Sequence, residues 1–117
     1  MKAFFMDRIF LCRTSDLEIN QSKEFRLEGG FSIALFRTAT GYHAVENRCP
    51  HAGATLHEGI LQKETLMCIW HGWKFNLKSG KCLNRRNAGL NKFTIQIDND
   101  RIYIMFSPDF QSRGKND

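Results

Sequence analysis

Two short stretches of this 117-residue chain hold the residue types most able to do chemistry. "RCPHAGATLHEG" covers residues 48–59 and "CIWHGWKF" covers 68–75. The first contains Cys49-x-His51, the second Cys68-x-x-His71, and sixteen residues separate His51 from Cys68. Thiolate sulfur and imidazole nitrogen both ligate metals, so the two pairs form a candidate set of four ligands. One occupant is structural zinc, tetrahedral and closed. Common zinc patterns put two cysteines on one arm and two histidines on the other. Here each arm carries one of each, and Cys-x-His is a tight spacing for two ligands of a single ion. The other occupant is a binuclear iron–sulfur cluster. If one iron takes both cysteines and the other both histidines, each loop must give one ligand to each iron.

The motif C-P-H-x-G followed by C-x-x-H-G-W resembles the paired cluster-binding loops of Rieske [2Fe–2S] proteins. "GATLHEG" resembles the segment closing the first loop, and "HGWKFNLKSGKCL" the second loop and the hairpin after it. The resemblance covers roughly residues 25–106. It implies that Cys49 and Cys68 hold a buried iron and that His51 and His71 hold an outer one, in one [2Fe–2S] cluster. It also implies an all-β fold, an antiparallel β-sandwich with a small inserted cluster-binding subdomain. The zinc reading stays open beside it, as a zinc-stabilised binding module.

The elements that must position these loops read as strands. "FSIALFR" (31–37) alternates, with Phe31, Ile33 and Leu35 on one face, between turn-rich Gly29-Gly30 and "TATG". "YHAVEN" (42–47) reads as its antiparallel partner. "FTIQID" (93–98) sets Phe93, Ile95 and Ile97 on one face, and "NDRIYIMF" repeats the pattern through Ile102, Ile104 and Phe106. Asn99-Asp100 between them is a hairpin signal. "RIFLCR" (8–13) and "EFRLE" (24–28) are further candidates. Between 48 and 92 glycines punctuate short apolar runs, as expected of the inserted subdomain. The reading is one domain over 1–106, with the cluster-binding subdomain at about 48–92 and a polar tail at 107–117.

Charge is uneven. Residues 48–92 hold eight Lys/Arg against two Glu, whereas the rest of the chain holds nine against ten Asp/Glu. The excess is either a solvated basic face or a docking surface for an acidic partner, which speeds encounter more than it tightens binding. No run of five like charges and no nucleic-acid motif is present, so nucleic acid is the weaker reading. Asp7 and Arg8 interrupt the apolar opening "MKAFFMDRIFLC", and nothing approaches the ~18 apolar residues of a membrane span. Four cysteines without a secretory signal point to metal or redox chemistry in a reducing compartment, here taken as the cytoplasm.

Within the Rieske resemblance, the residues after the second pair set the type. High-potential respiratory relatives carry a hydroxyl two residues after the second histidine and a tyrosine two further on. Those positions are Trp73 and Phe75, and neither donates a hydroxyl hydrogen bond. The positions of those relatives' loop-linking disulfide are Ala54 and Trp70. The resemblance therefore implies a soluble, low-potential carrier that passes single electrons from a reductase to a terminal oxygenase and is not an enzyme on its own. The small subunit of a nitrite reductase is the alternative. Catalytic iron needs further ligands, and only His43 and His57 remain.

Other residues carry smaller expectations. Cys12 and Cys82 read as buried small apolar residues, with a mutual disulfide unsupported by spacing. His43 and His57 read as structural, with His57 close enough to the first loop to line its rim. Gly53 and Gly72 let backbone approach the cluster, Pro50 stiffens the first loop, and Trp70, Trp73 and Phe75 pack around the site. Cover over the cluster comes from Ala88-Gly89-Leu90 or is looser, and both stay open.

Overall fold

The structure, a computed structural model, describes residues 7–50, 53, 55–69, 72–86 and 88–106. The side chains of Asp7 and Phe106 are outside that description, as is the whole of the tail at 107–117. The described residues form nine strands in chain order: β1 (Asp7–Arg13), β2 (Ser22–Leu27), β3 (Phe31–Thr38), β4 (Gly41–Glu46), β5 (Ile60–Gln62), β6 (Thr65–Met67), β7 (Lys74–Asn76), β8 (Lys92–Asp98) and β9 (Arg101–Phe106). Helical structure among the described residues is limited to three-residue 3-10 turns. The fold is all-β and every strand pair is antiparallel.

Six strands form one sheet in the order β1-β9-β8-β4-β3-β2, and β5-β6-β7 form a second. The large sheet is two three-stranded halves joined narrowly. β8 meets β4 only through Ala44–Phe93 and Val45–Lys92, then pairs with β9 from Thr94 to Asp98. The two halves close over a shared core of Leu11, Cys12, Ile33, Leu35, Ala44, Phe93, Ile102 and Ile104. This is the sandwich. A bulge between Phe10 and Cys12 in β1 turns both Leu11 and Cys12 inward. Asn99 and Asp100 both have positive φ, 51° and 67°, as a two-residue type I′ hairpin requires.

β3 explains why a second layer exists. Ile33 and Leu35 enter the sandwich core, as the alternation predicts. Ala34 and Phe36, on the opposite face, are also fully buried, in a separate core with Val45, Leu56, Leu66, Phe75, Leu77 and Leu90. "IALF" is therefore a strand covered on both sides, and such strands read as continuous apolar runs. The small sheet provides the second cover. Its Leu61–Leu66–Phe75 row is in register, with Leu66 and Phe75 buried in this core and Leu61 packed against it.

One expectation fails on β8. Ile97 is 50% exposed, although it pairs with fully buried Ile102. β8 has left β4 by this point, so Ile97 sits on a free edge with no strand beyond it.

Candidate metal centre

The first loop grows directly out of β4. The alternation continues past the last strand residue, so Val45, Asn47 and Cys49 all point inward and are 0%, 4% and 0% exposed. The Glu46 amide donates to the Asn91 carbonyl (2.8 Å) and the Asn47 amide to the Ser32 carbonyl (2.9 Å), which holds the segment extended. Beyond Cys49 the chain turns: the Gly53 amide donates to the Cys49 carbonyl at 2.8 Å, and Gly53 has φ +74°. A left-handed residue there is what glycine supplies without strain. The loop ends at Leu56–Glu58, a 3-10 turn whose Leu56 is buried in the second core.

The small sheet brings the two loops together. β5 follows the first loop, and Ile60 pairs with Met67, the residue before Cys68. Gly59 wedges against β6: a Cβ there would lie 2.6 Å from the Met67 carbonyl oxygen. The second loop closes on itself, with the Cys68 amide donating to the Trp73 carbonyl at 2.7 Å and Gly72 at φ +69°. Asn84 clamps its far end. The Asn84 carboxamide accepts from the Lys74 amide (3.1 Å) and donates to the Gly72 carbonyl (3.2 Å).

Cys49 and Cys68 thus sit at the tips of two adjoining loops, and both are buried in one apolar core with Phe75, Leu56 and Leu90. His51 and His71 lie outside the described residues, as do Ala54 and Trp70. Among the described residues no group of three or more His, Cys, Asp or Glu converges, so the described part of the expected ligand set is the cysteine pair. That pair fits the buried half of a sulfur-ligated two-iron site. The sulfurs are shut away from water, on backbone turned by two left-handed glycines.

Of the aromatics, Phe75 is fully buried beside the cysteines and Trp73 packs against the same core, 6.5 Å from Phe75 between ring centroids. Leu90 is buried in that core with the two cysteines. Lys81 bridges to Gly89, and Leu90 donates to the Gly80 carbonyl at 2.7 Å.

Cys12 and Cys82 are not bridged, so the disulfide between them does not form. Cys12 lies in the sandwich core, where burial and nearby Asp16 push its thiol pKa up. Cys82 is only partly buried: bridged to Phe75, it packs against the edge of the second core, with its Sγ 3.4 Å from Asn84 Oδ1.

Two polar networks that sequence reasoning missed hold the loops. In the first, Asn47 Oδ1 accepts from the His57 amide (2.9 Å), which fixes the orientation of the carboxamide. Its Nδ2 then faces His57 Nδ1 (3.0 Å), Ser32 Oγ (3.1 Å) and Glu24 Oε2 (3.3 Å). His57 Nδ1 is therefore the acceptor, its neutral ring proton is on Nε2, and Nε2 is 3.9 Å from Glu24 Oε1. Ser32 donates to Glu24 (3.0 Å), and chiefly this bond holds the Glu24 carboxyl below its usual range, with Arg26 adding to it. His57 is structural, as expected. The readable signal was Asn47, a polar residue in phase with Val45 and Cys49.

In the second network Thr38 donates to Glu64 in the β5–β6 turn (2.8 Å), and His43 Nε2 is 3.4 Å from the same carboxylate oxygen. Burial and Lys92 lower the His43 pKa and outweigh Glu64, so near neutral pH this contact is a hydrogen bond rather than an ion pair. For Glu64, burial pulls its carboxyl upward, but the hydrogen bonds from Thr38 and Thr40 prevail and lower it. The network ties the small sheet to the β3–β4 hairpin.

Comparison with known proteins bears on this geometry. Residues 7–94 match the Rieske [2Fe-2S] domain. The chain is 33% identical over 98 residues to human apoptosis-inducing factor 3, covering 83% of this chain but only 16% of that protein's length. It is 30% identical over 102 residues to the 3-phenylpropionate/cinnamic acid dioxygenase ferredoxin subunit of Shigella flexneri, covering 85% of this chain and 93% of the subunit. A chain from the complex of reduced oxygenase and oxidized ferredoxin in carbazole 1,9a-dioxygenase superposes with a TM-score of 0.80 at 23% identity. That superposition covers 89% of this chain and 97% of the other, and it shows a shared fold.

Proposed function

We propose that this chain, which belongs to the Rieske [2Fe-2S] domain family, is a one-electron carrier that delivers electrons from a reductase to a terminal oxygenase. On this reading it is an electron-transfer protein and not an enzyme by itself. The observation that carries the reading is the pair Cys49 and Cys68, both shut into one apolar core at the tips of two adjoining loops. Near full-length similarity to a dioxygenase ferredoxin subunit supports the choice of partner. The small subunit of a nitrite reductase is the alternative.

In this reading Cys49 and Cys68 hold the inner iron and His51 and His71 the outer one. When bound, the cluster supplies reversible one-electron exchange. Phe75, Leu56 and Leu90 exclude water from the sulfur side. Asn84 and the Asn47–His57 network hold the two loops at fixed separation. We take residues 48–92 as the cluster-binding subdomain of a single unit over 1–106. Among the described residues no helix is long and apolar enough to cross a membrane. Cys12 and Cys82, left unbridged, support placement in a reducing compartment such as the cytoplasm.

The test is spectroscopic. Purified protein should be red-brown, hold two irons and two sulfides per chain, and bleach on reduction. Cys49→Ser and Cys68→Ser should be colourless, whereas Cys12→Ser and Cys82→Ser should keep the colour. A colourless wild type with one zinc per chain would overturn the carrier reading in favour of the zinc-stabilised binding module. Electron delivery is tested by reconstitution with candidate reductase–oxygenase and nitrite reductase pairs. Turnover with only the nitrite enzyme would select the alternative.

A further inference from the structure

We infer that the outer face of the small sheet, with the β7–β8 connection beside it, is a docking surface for a protein partner that presents apolar side chains interspersed with carboxylates. The inference rests on the electron-carrier reading for the partner's redox role, but not for its chemistry.

Charge is the first observation. Between Glu64 and Asp98 the chain has no acidic residue, yet it holds Lys74, Lys78, Lys81, Arg85, Arg86 and Lys92. All six are exposed. Among the described residues, none of them is in an ion pair. Arg85 and Lys92 hydrogen-bond, among the described residues, to backbone carbonyls, those of Asn84 (2.7 Å) and Lys78 (2.8 Å). On the large sheet, by contrast, Arg8 pairs with Asp98 (3.3 Å) and Arg26 with Glu24 (3.4 Å). A field of like charges left uncompensated opposes folding slightly and steers oppositely charged partners.

Shape is the second observation. In the small sheet, Leu61, Leu66 and Phe75 face the core, so the alternate row Ile60, Met67 and Lys74 faces out. Leu83 extends that row, since its amide donates to the Lys74 carbonyl at 2.7 Å. Ile60 and Leu83, 51% and 56% exposed, stand at the two ends of this row, with half-buried Met67 and exposed Lys74 between them. Two open grooves meet at Leu83. One, of about 840 Å³, runs along residues 79–86 and 88–90 past Lys81, Arg85 and Arg86. The other, of about 1040 Å³, is lined by Ile60, Met67, Lys63 and Lys74. The surface sets Ile60, Met67 and Leu83 among Lys63, Lys74, Lys81 and Arg85, an apolar and cationic mix that suits a protein partner. Phosphates of a nucleic acid would satisfy the cations and leave Ile60 and Leu83 wet.

Position is the third. Lys74 directly follows Trp73, Arg85 lies over the Trp73 ring (5.2 Å), and Asn84 holds the Gly72 carbonyl. A partner seated here lies against the second loop.

The experiment measures retention of the full-length protein on gold bearing a mixed carboxylate- and methyl-terminated monolayer, by mass on a quartz-crystal microbalance. Two triple variants each remove three positive charges: K74Q/K81Q/R86Q on the face, and R13Q/K23Q/R101Q on the large sheet. At low ionic strength the face variant should bind about tenfold more weakly or worse and the control within about threefold of wild type, in keeping with steering magnitudes. Leu83→Gln should weaken binding to the mixed monolayer but not to a purely carboxylate one. Equal losses in the two triples would show that net charge alone is read, and would overturn the proposal. So would wild-type retention by the face variant, or tighter face-dependent retention on a layer of single-stranded DNA. Mass readout needs no cluster, so a colourless protein that still shows the pattern defeats the carrier reading and leaves the docking face standing.

Discussion

Asn47 is the residue on which the first loop depends, and Asn47→Ala is the perturbation that shows it. The side chain is 4% exposed and bonds the His57 amide, the His57 ring and Ser32. Its contact to Glu24 is left out of the sum because that carboxylate is solvated. Neutral hydrogen bonds contribute about 0.5–1.5 kcal/mol each, and a donor left unpaired in a half-buried position adds to the loss, so the variant should lose about 2–3 kcal/mol. Unfolding entropy for a chain of this size is roughly 0.25 kcal/mol/K, which converts the loss into a drop of about 8–12 °C in thermal midpoint. The assay is a thermal ramp at one fixed scan rate, following visible absorbance and far-ultraviolet dichroism together, because a cluster protein unfolds irreversibly and its midpoint depends on rate. Asn47→Asp is the sharper companion. It keeps an acceptor for the His57 amide but sets a second carboxylate where Nδ2 lies 3.3 Å from Glu24. Like charges raise carboxyl pKa values in the folded state, so the folded protein binds more protons and the deficit should shrink from pH 8 to pH 5. A midpoint change below about 2 °C for Asn47→Ala, or a pH-independent deficit for Asn47→Asp, would refute the role given to this network.

Three further outcomes are expected. Because Trp73 and Phe75 offer no hydroxyl to the sulfurs, the reduction potential should lie below 0 mV in film voltammetry; a value above about +200 mV would defeat that argument. His43 is held neutral by burial and by Lys92, so its folded pKa is below its unfolded value. The unfolded state then binds more protons, and stability should fall as pH drops below about 6.5; His43→Gln should flatten that limb, and an unchanged slope would sink the assignment. Gly59→Ala should cost about 1–3 kcal/mol by driving a methyl group into the Met67 carbonyl, whereas Ala at solvent-facing Ser79 should leave the midpoint within about 0.5 kcal/mol of wild type.

Much of this architecture was legible in the sequence because period-two alternation marks faces. Phe31, Ile33 and Leu35 do share one face, and Asn99-Asp100 does make the tight turn between β8 and β9. What alternation could not convey is how many layers cover a strand. "IALF" is buried on both sides because the small sheet packs behind it, and a pattern of inward residues on one face cannot announce a second core. Ile97 fails for the converse reason, since its phase is right but the neighbouring strand has departed. The cysteine pair was legible because only a few sites want sulfur and nitrogen in that order. The groups that hold the loops were not, for they are ordinary residues whose partners lie far along the chain: Asn47 with Glu24, Glu64 with Thr38, Asn84 with Gly72.

These tethers also divide the labour between the two loops. The first is held from behind, by a network rooted in β2 and β3 of the large sheet. The second is held from its own side, by Asn84 and the Cys68–Trp73 bond within the small sheet. The sandwich therefore fixes one half of the cysteine pair and the small sheet the other, with Ile60–Met67 pairing and the Gly59 wedge setting the distance between them. Strain from a partner docked on Ile60, Leu83 and the surrounding cations would reach the second loop first, because Lys74 and Asn84 belong to both the docking face and the loop clamp. The first loop, tied to the opposite layer, would stay fixed. A carrier built this way can meet its partner on the small-sheet side of its site while the buried sulfur side remains closed to water.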